Sequence, residues 1–158
     1  MKTHFTKLAR IAIAGAVIAI LGVLLFGQRT TTSSLAPLTL PDGNTRLWVE
    51  LKPTHPFLAE YDRTLTVNRG NSEVRQELFQ DTGGYGRLNI YILSPEVVIV
   101  SGPFEELLVN VGTLKIEKLT KPLQIKGTYL AAFAKAPEGT WRFIPAAEAG
   151  EIPVGGTQ

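Results

Sequence analysis

The 158-residue sequence contains no cysteine and only two histidines, His4 and His55. Without cysteine the protein has no disulfide, no thiolate nucleophile and no cysteine ligand for zinc or an iron–sulfur cluster. A metal site built on one histidine would need carboxylates as all its other ligands. We therefore predict no metal site and no cofactor, and we expect the folded part to be stabilised by its own hydrophobic core.

A concentrated basic surface is also lacking. All 14 acidic residues lie in the stretch from Pro37 onward, which holds only 12 of the 16 lysines and arginines and so carries a net charge of −2. Binding of nucleic acid requires clustered lysine and arginine side chains that neutralise phosphates. We therefore predict no nucleic-acid partner.

Long apolar runs are absent except for one near the N-terminus. Ile11–Phe26 has 16 residues without a charged or polar side chain, and three basic residues precede it. As a helix it would measure about 24 Å, slightly less than the ~30 Å hydrocarbon core, a mismatch that local thinning of the bilayer accommodates. The sequence predicts a basic cytoplasmic stub at residues 1–10, a transmembrane helix in the lipid bilayer at 11–27 and a polar linker at 28–36.

The charges flanking the apolar run predict its orientation. The positive-inside bias places the N-terminus in the cytoplasm and the rest of the protein outside it, in the periplasm of a Gram-negative cell. The competing interpretation is a cleaved signal peptide, which would make the protein secreted. The best cleavage pair, Ser34 and Ala36, lies well behind the run and is followed by Pro37. We therefore favour an uncleaved signal anchor.

An alternation of period two dominates residues 37–145. In Arg87–Leu93, leucine and isoleucine alternate with polar residues, the pattern of a strand with one buried face. Comparable patterns predict further strands at 45–51, 64–68, 97–100, 107–111, 114–117, 123–133 and 141–143. The segment 72–79 is compatible with a helix or a strand, and we favour a strand. The sequence predicts a mainly β fold, either an antiparallel β-sandwich or a small barrel, with a flexible tail at 146–158.

The triplet Asp81-Thr82-Gly83 is the sharpest catalytic motif. It resembles the active-site triplet of pepsin-like and retropepsin-like aspartic proteases, in which two aspartates share a proton, so a chain with one copy would have to form a homodimer. Gln80 and the nearby glycines do not provide the apolar surroundings of such a pair. His55 lacks the partners of a hydrolytic triad. We therefore predict no catalytic residue.

The loop around this triplet is the best candidate for a binding site. It combines glycines that permit close approach with an acid, an aromatic ring, a cation and an amide. The predicted binding residues are Asp81, Gly83, Gly84, Tyr85, Gly86, Arg87 and Asn89. If Asp81 serves to order the loop, its carboxylate should accept a hydrogen bond from the amide of Gly83 or Gly84.

Taken together, these patterns predict a membrane-anchored, extracytoplasmic β domain that acts as a non-enzymatic binding or structural module for a protein partner. We expect it to be at most a weak homodimer. The alternatives are a homodimeric aspartic hydrolase centred on Asp81 and a small-ligand-binding barrel with an apolar interior. Two surface expectations accompany this hypothesis. Phe57–Asp62 is either a partly buried connector or an exposed docking edge, and we favour the buried connector. Glu105–Glu106 should be solvated.

Overall fold

The computed structural model describes residues 37–152 except Pro56, Tyr85, Ile125 and Lys126. The predicted stub, transmembrane helix and linker at residues 1–36 lie outside the described residues. Within residues 37–152, no helix has the length and apolar character needed to cross a bilayer.

The described residues form two antiparallel β-sheets, so the prediction of a mainly β, antiparallel fold is confirmed. The first sheet has the order β1-β2-β3-β4 and consists of β1 (Leu38–Thr39), β2 (Thr45–Pro53), β3 (Tyr61–Arg69) and β4 (Ser72–Glu77). The second sheet has the order β10-β9-β5-β6-β7-β8 and consists of β5 (Leu88–Ser94), β6 (Val97–Ser101), β7 (Glu106–Asn110), β8 (Lys115–Lys118), β9 (Thr128–Lys135) and β10 (Trp141–Pro145). The ambiguous segment at 72–79 is thus a strand over most of its length, as favoured.

The core lies where the inward faces of the two sheets meet. Residues that alternate along each strand supply it, because successive side chains of a strand point to opposite faces. The fully buried side chains include Leu47, Val49, Leu65 and Val67 of the first sheet and Leu88, Ile90, Val100, Leu107, Val109 and Phe133 of the second. The apolar face predicted for the strand at 87–93 is therefore buried, as Leu88 and Ile90 demonstrate.

The second sheet contains a long return connection. After β8 the chain returns to the other side of the sheet, so that β9 pairs with β5 rather than with β8. The register between β5 and β9 shifts by one residue near Leu130. Because of this bulge, Phe133 lies in the core whereas Tyr129 lies against Tyr91 on the outer face, although the sequence pattern gave both the same parity.

Four connections meet at one end of the two sheets, because neighbouring strands run in opposite directions. These connections are residues 54–60, 78–87, 102–105 and 136–140. The contacts in this region include the backbone pairing of Tyr61, at the start of β3, with Asp81, and the ring contact between Phe79 and Phe104. We call this region the loop end.

Residues 146–152, the described part of the predicted flexible tail, form hydrogen bonds with the rest of the domain. A turn follows β10, in which the amide of Glu148 donates to the carbonyl of Pro145 over 2.9 Å. Residues 150–152 then accept hydrogen bonds from side chains on the outer face of the second sheet. Residues 153–158 lie outside the described residues.

Candidate functional site

Asp81 orders the loop that follows it. Its backbone exchanges two hydrogen bonds with Tyr61, at 2.9 and 3.0 Å, just beyond the end of β4. Its carboxylate oxygen Oδ1 accepts a 3.0 Å hydrogen bond from the amide of Gly83, which confirms the predicted turn. Gly83 has a φ of +98°, a conformation that favours glycine. The carboxylate and the glycine together fix the direction in which the chain leaves β4.

Gly86 brings this loop against Trp141. A Cβ atom at position 86 would lie 2.2 Å from Cη2 of Trp141 and 2.6 Å from Oδ2 of Asp81. The indole also stacks on Phe133, with ring centroids 5.3 Å apart. Beside these residues is an open hollow of about 190 Å³, lined by Ala59, Tyr61, Asp81, Gly83, Gly84, Gly86, Lys135 and Trp141. Close packing at a bare glycine backbone thus connects the loop to the core.

The predicted binding residues separate into two groups. Four of them, Asp81, Gly83, Gly84 and Gly86, line the hollow at the loop end. The other two described residues lie on the outer face of the second sheet, where Nε of Arg87 donates to Oδ1 of Asn89 over 2.9 Å. Tyr85 is outside the described residues. Alternation explains the separation, because residues 87 and 89 point away from the core that Leu88 enters.

A buried arginine, Arg63, lies at the loop end and was not among the predicted site residues. Arg63 donates from Nε to the carbonyl of Phe79 over 2.8 Å and from Nη1 to the carbonyl of Gly86 over 3.0 Å. Its Nη2 lies 3.5 Å from Oε1 of Glu105. The alternation along β3 could have predicted its burial. Arg63 lies two residues before Leu65 and four before Val67, so its side chain points to the same inward face.

Glu105 pairs with this arginine inside the protein. Its Oε1 accepts a 2.7 Å hydrogen bond from the amide of Phe79, and its Oε2 lies 3.3 Å from Nζ of Lys118. Glu106 is buried too, and its Oε2 accepts a 2.8 Å hydrogen bond from the amide of Leu123. The expectation of a solvated Glu105–Glu106 is therefore wrong, because both carboxylates find buried donors in neighbouring connections.

Burial and charge have opposite effects on Arg63. Removal from water lowers the pKa of Arg63, whereas the nearby carboxylates of Glu105 and Asp81 raise it, and the net direction is downward. A guanidinium stays protonated in proteins at neutral pH despite such a shift. The group comprising Arg63, Glu105 and Lys118, which we call the ionic network, therefore joins the connections at 78–87 and 102–105 through charged hydrogen bonds.

Large apolar side chains are exposed on the same loop end. The exposed fractions are 82% for Phe57, 55% for Leu58, 48% for Phe79 and 59% for Phe104. The rings of Phe79 and Phe104 are in contact, with centroids 5.0 Å apart. The expectation that Phe57–Asp62 is partly buried is wrong for its first three residues, because they lie in the connection between β2 and β3 and are exposed. We call these four residues the apolar tip.

Metal-binding groups are not assembled in residues 37–152 as far as the structure describes them: no three histidine, aspartate or glutamate side chains are placed to hold an ion. A comparison of the chain with family models, curated proteins and solved structures found no match.

Proposed function

We propose that this protein is a membrane-tethered, extracytoplasmic binding module, a β-sandwich that contacts a protein partner through the apolar tip. The observation that carries the proposal is the exposure of Phe57, Leu58, Phe79 and Phe104 at one end of the sheets. Burying one such side chain is worth roughly 1.5–3 kcal/mol, so a surface of four makes a substantial contribution to binding. Clustered exposed apolar residues on a water-exposed domain are typical of interaction sites.

The hydrogen bonds that hold the loops of the apolar tip in place also favour a binding role. The ionic network holds the backbone of Phe79 directly, and Phe104 immediately precedes Glu105 in the chain. The amide of Phe57 donates to Nδ1 of His55 over 3.1 Å, which gives that loop its own turn. Aromatic anchors on ordered loops lose little conformational entropy on binding, and this increases the affinity for a partner.

Asp81 supports the binding proposal over the hydrolase alternative. A catalytic aspartate pair needs a second carboxylate that shares its proton. Here the carboxylate of Asp81 accepts the amide of Gly83, and the charge that acts with it is the guanidinium of Arg63. If the alternative holds instead, the wild type should cleave a peptide library at acid pH, and Asp81→Asn should abolish that cleavage.

The proposal is tested by site-specific photo-crosslinking of the full-length protein in its native membrane. A photoreactive phenylalanine analogue replaces Phe57, Phe104 or, as the control, Leu93. Leu93 is also exposed but lies at the opposite end of β5 from the loop end. We expect positions 57 and 104 to give the same adduct, position 93 to give none, and Phe79→Ser to weaken the adduct. Equal labelling from position 93, or no adduct from 57 and 104, would contradict the proposal.

Tethering to the membrane has its own test. The intact mass of the protein isolated from native membranes should include residues 1–36, since the predicted anchor is uncleaved. A mature N-terminus between Gly27 and Pro37 would contradict the anchor while leaving the apolar tip as the proposed binding surface.

A further inference from the structure

The outer face of the second sheet, which points away from the core, carries a row of polar side chains that are buried or half-buried. Arg87, Asn89 and Tyr91 alternate with the core residues of β5, and Tyr129 lies beside them on β9. Asn89 is fully buried and only 2% of Tyr91 is exposed, which is unusual on the face of a sheet that points away from the core. We call these four residues the donor strip.

The chain's own C-terminal segment covers the donor strip. Nη2 of Arg87 donates to the carbonyl of Gly150 over 2.8 Å, and Nδ2 of Asn89 donates to the carbonyl of Ile152 over 2.7 Å. The hydroxyl of Tyr91 donates to Oε1 of Glu151 over 2.8 Å. In each contact the strip supplies the donor and the segment supplies the acceptor, so the strip recognises an extended peptide with two carbonyls and a carboxylate.

Contacts within the strip orient its donors independently of the segment. Arg87 also donates to Oδ1 of Asn89 and to the hydroxyl of Tyr129, both over 2.9 Å. Asn89 contacts the hydroxyl of Tyr91 over 3.2 Å. Side chains that hold one another are preorganised, and preorganisation lowers the entropic cost of binding a peptide.

The segment itself is held lightly. Gly150, Glu151 and Ile152 are all exposed, and the exposed fraction of Ile152 is 57%. Little of the apolar surface of these three residues is therefore removed from water, and among the described contacts they are held to the strip by three hydrogen bonds and by their covalent attachment. A tethered ligand benefits from an effective concentration in the millimolar range, so an intrinsically weak contact suffices to occupy the site.

We propose that the donor strip is a binding site for an extended, acidic peptide segment of a partner protein, and that residues 150–152 occupy it in cis until such a segment displaces them. The partner segment has a glutamate whose two neighbours present their backbone carbonyls, because that is the chemistry now bound. This site is separate from the apolar tip and does not depend on the role proposed for the tip.

Binding of a labelled synthetic peptide, acetyl-Ala-Gly-Glu-Ile-Pro-amide, to the full-length protein in detergent micelles tests the proposal. Glu151→Ala removes a charge-assisted hydrogen bond of the competing cis segment, so this variant should bind the peptide about ten-fold more tightly than the wild type. Glu148→Ala is the matched control, because Glu148 belongs to the same segment but contacts Arg142 instead of the strip. It should bind like the wild type.

Two further arms make the test specific. A peptide with glutamine in place of glutamate should bind Glu151→Ala about ten-fold more weakly, and Tyr129→Phe, which removes one contact of Arg87, should weaken binding while leaving the unfolding transition cooperative. No peptide binding, or equal binding by the wild type and Glu151→Ala, would overturn the proposal. A wild-type dimer that the peptide dissociates would also overturn it, since a second copy's tail would then be the partner segment.

Discussion

Gly86 is packed so closely at the loop end that its position has no room for a side chain. Gly86→Ala should lower the free energy of unfolding by about 1–3 kcal/mol, because the new Cβ would overlap Trp141 and Asp81. Gly84→Ala is the matched control, since no atom lies within 4 Å of a Cβ added there. Urea unfolding monitored by tryptophan fluorescence measures both. Equal losses for the two variants would mean that backbone freedom, rather than the contact with Trp141, is what matters at these glycines.

Gly83 and Gly86 differ in how far their roles could be predicted from the sequence. The hydrogen bond from Gly83 to Asp81 was predictable, because an aspartate and an amide two residues later form a local turn. The requirement at Gly86 was not, because it comes from Trp141 on a distant strand. The separation of Arg87 from Asp81 follows from strand parity and could have been predicted.

Buried charged side chains hold the connections of the loop end together. Arg63→Met should lower the free energy of unfolding by about 3–5 kcal/mol, because it leaves Glu105 buried without its main cation. Lys118→Met removes the other cation beside Glu105, yet half of the Lys118 side chain is exposed, so the loss should stay below about 1 kcal/mol. Denaturant unfolding measures the two variants. A loss at Lys118 as large as that at Arg63 would contradict the assignment of Arg63 as the main partner.

The docked C-terminal segment should be detectable in the titration of Tyr91. Burial, supported by the hydrogen bond to Glu151, raises the pKa of Tyr91 to about 12 from an ordinary value of 10.0. The folded protein therefore favours the neutral phenol, so the stabilisation that Tyr91 provides is complete below pH 10 and is lost as the pH rises towards 12.

The difference in phenolate absorbance between the wild type and Tyr91→Phe isolates this titration. Glu151→Gln should move the midpoint of the Tyr91 titration down towards the ordinary value. A midpoint already close to that value in the wild type would mean that the segment does not cover Tyr91 in solution.

Strands were more predictable than their surroundings because alternation is a local property. Among the strands of the described residues, β1 is the one that the sequence pattern did not predict. Its two residues, Leu38–Thr39, are too few to show an alternation. The bulge near Leu130 was not predictable, because it reflects how β9 fits against β5 rather than any pattern within β9. The exposure of Phe57 was likewise hidden, since an apolar residue in a loop resembles a core residue until the ends of the strands are known.

Strand β5 lies in the interior of the second sheet. It pairs with β6 on one side and with β9 on the other. These two strands are far apart in the sequence, because β7 and β8 lie between them. Its inward side chains enter the core, and its outward ones lie under the C-terminal segment. By contrast, β8 is an edge strand of four residues with mostly exposed side chains.

Native-state hydrogen exchange should therefore be slowest in β5 and much faster in β8. Amides of a strand paired on both sides and covered on both faces exchange only through opening reactions that approach global unfolding, whereas an edge strand opens locally at lower free energy. Exchange measured residue by residue at neutral pH should place the protection of Ile90 and Tyr91 near the free energy of unfolding and that of Ile116 well below it. If Ile116 were as protected as Ile90, β8 would be part of the same cooperative unit, and the second sheet would open only as a whole.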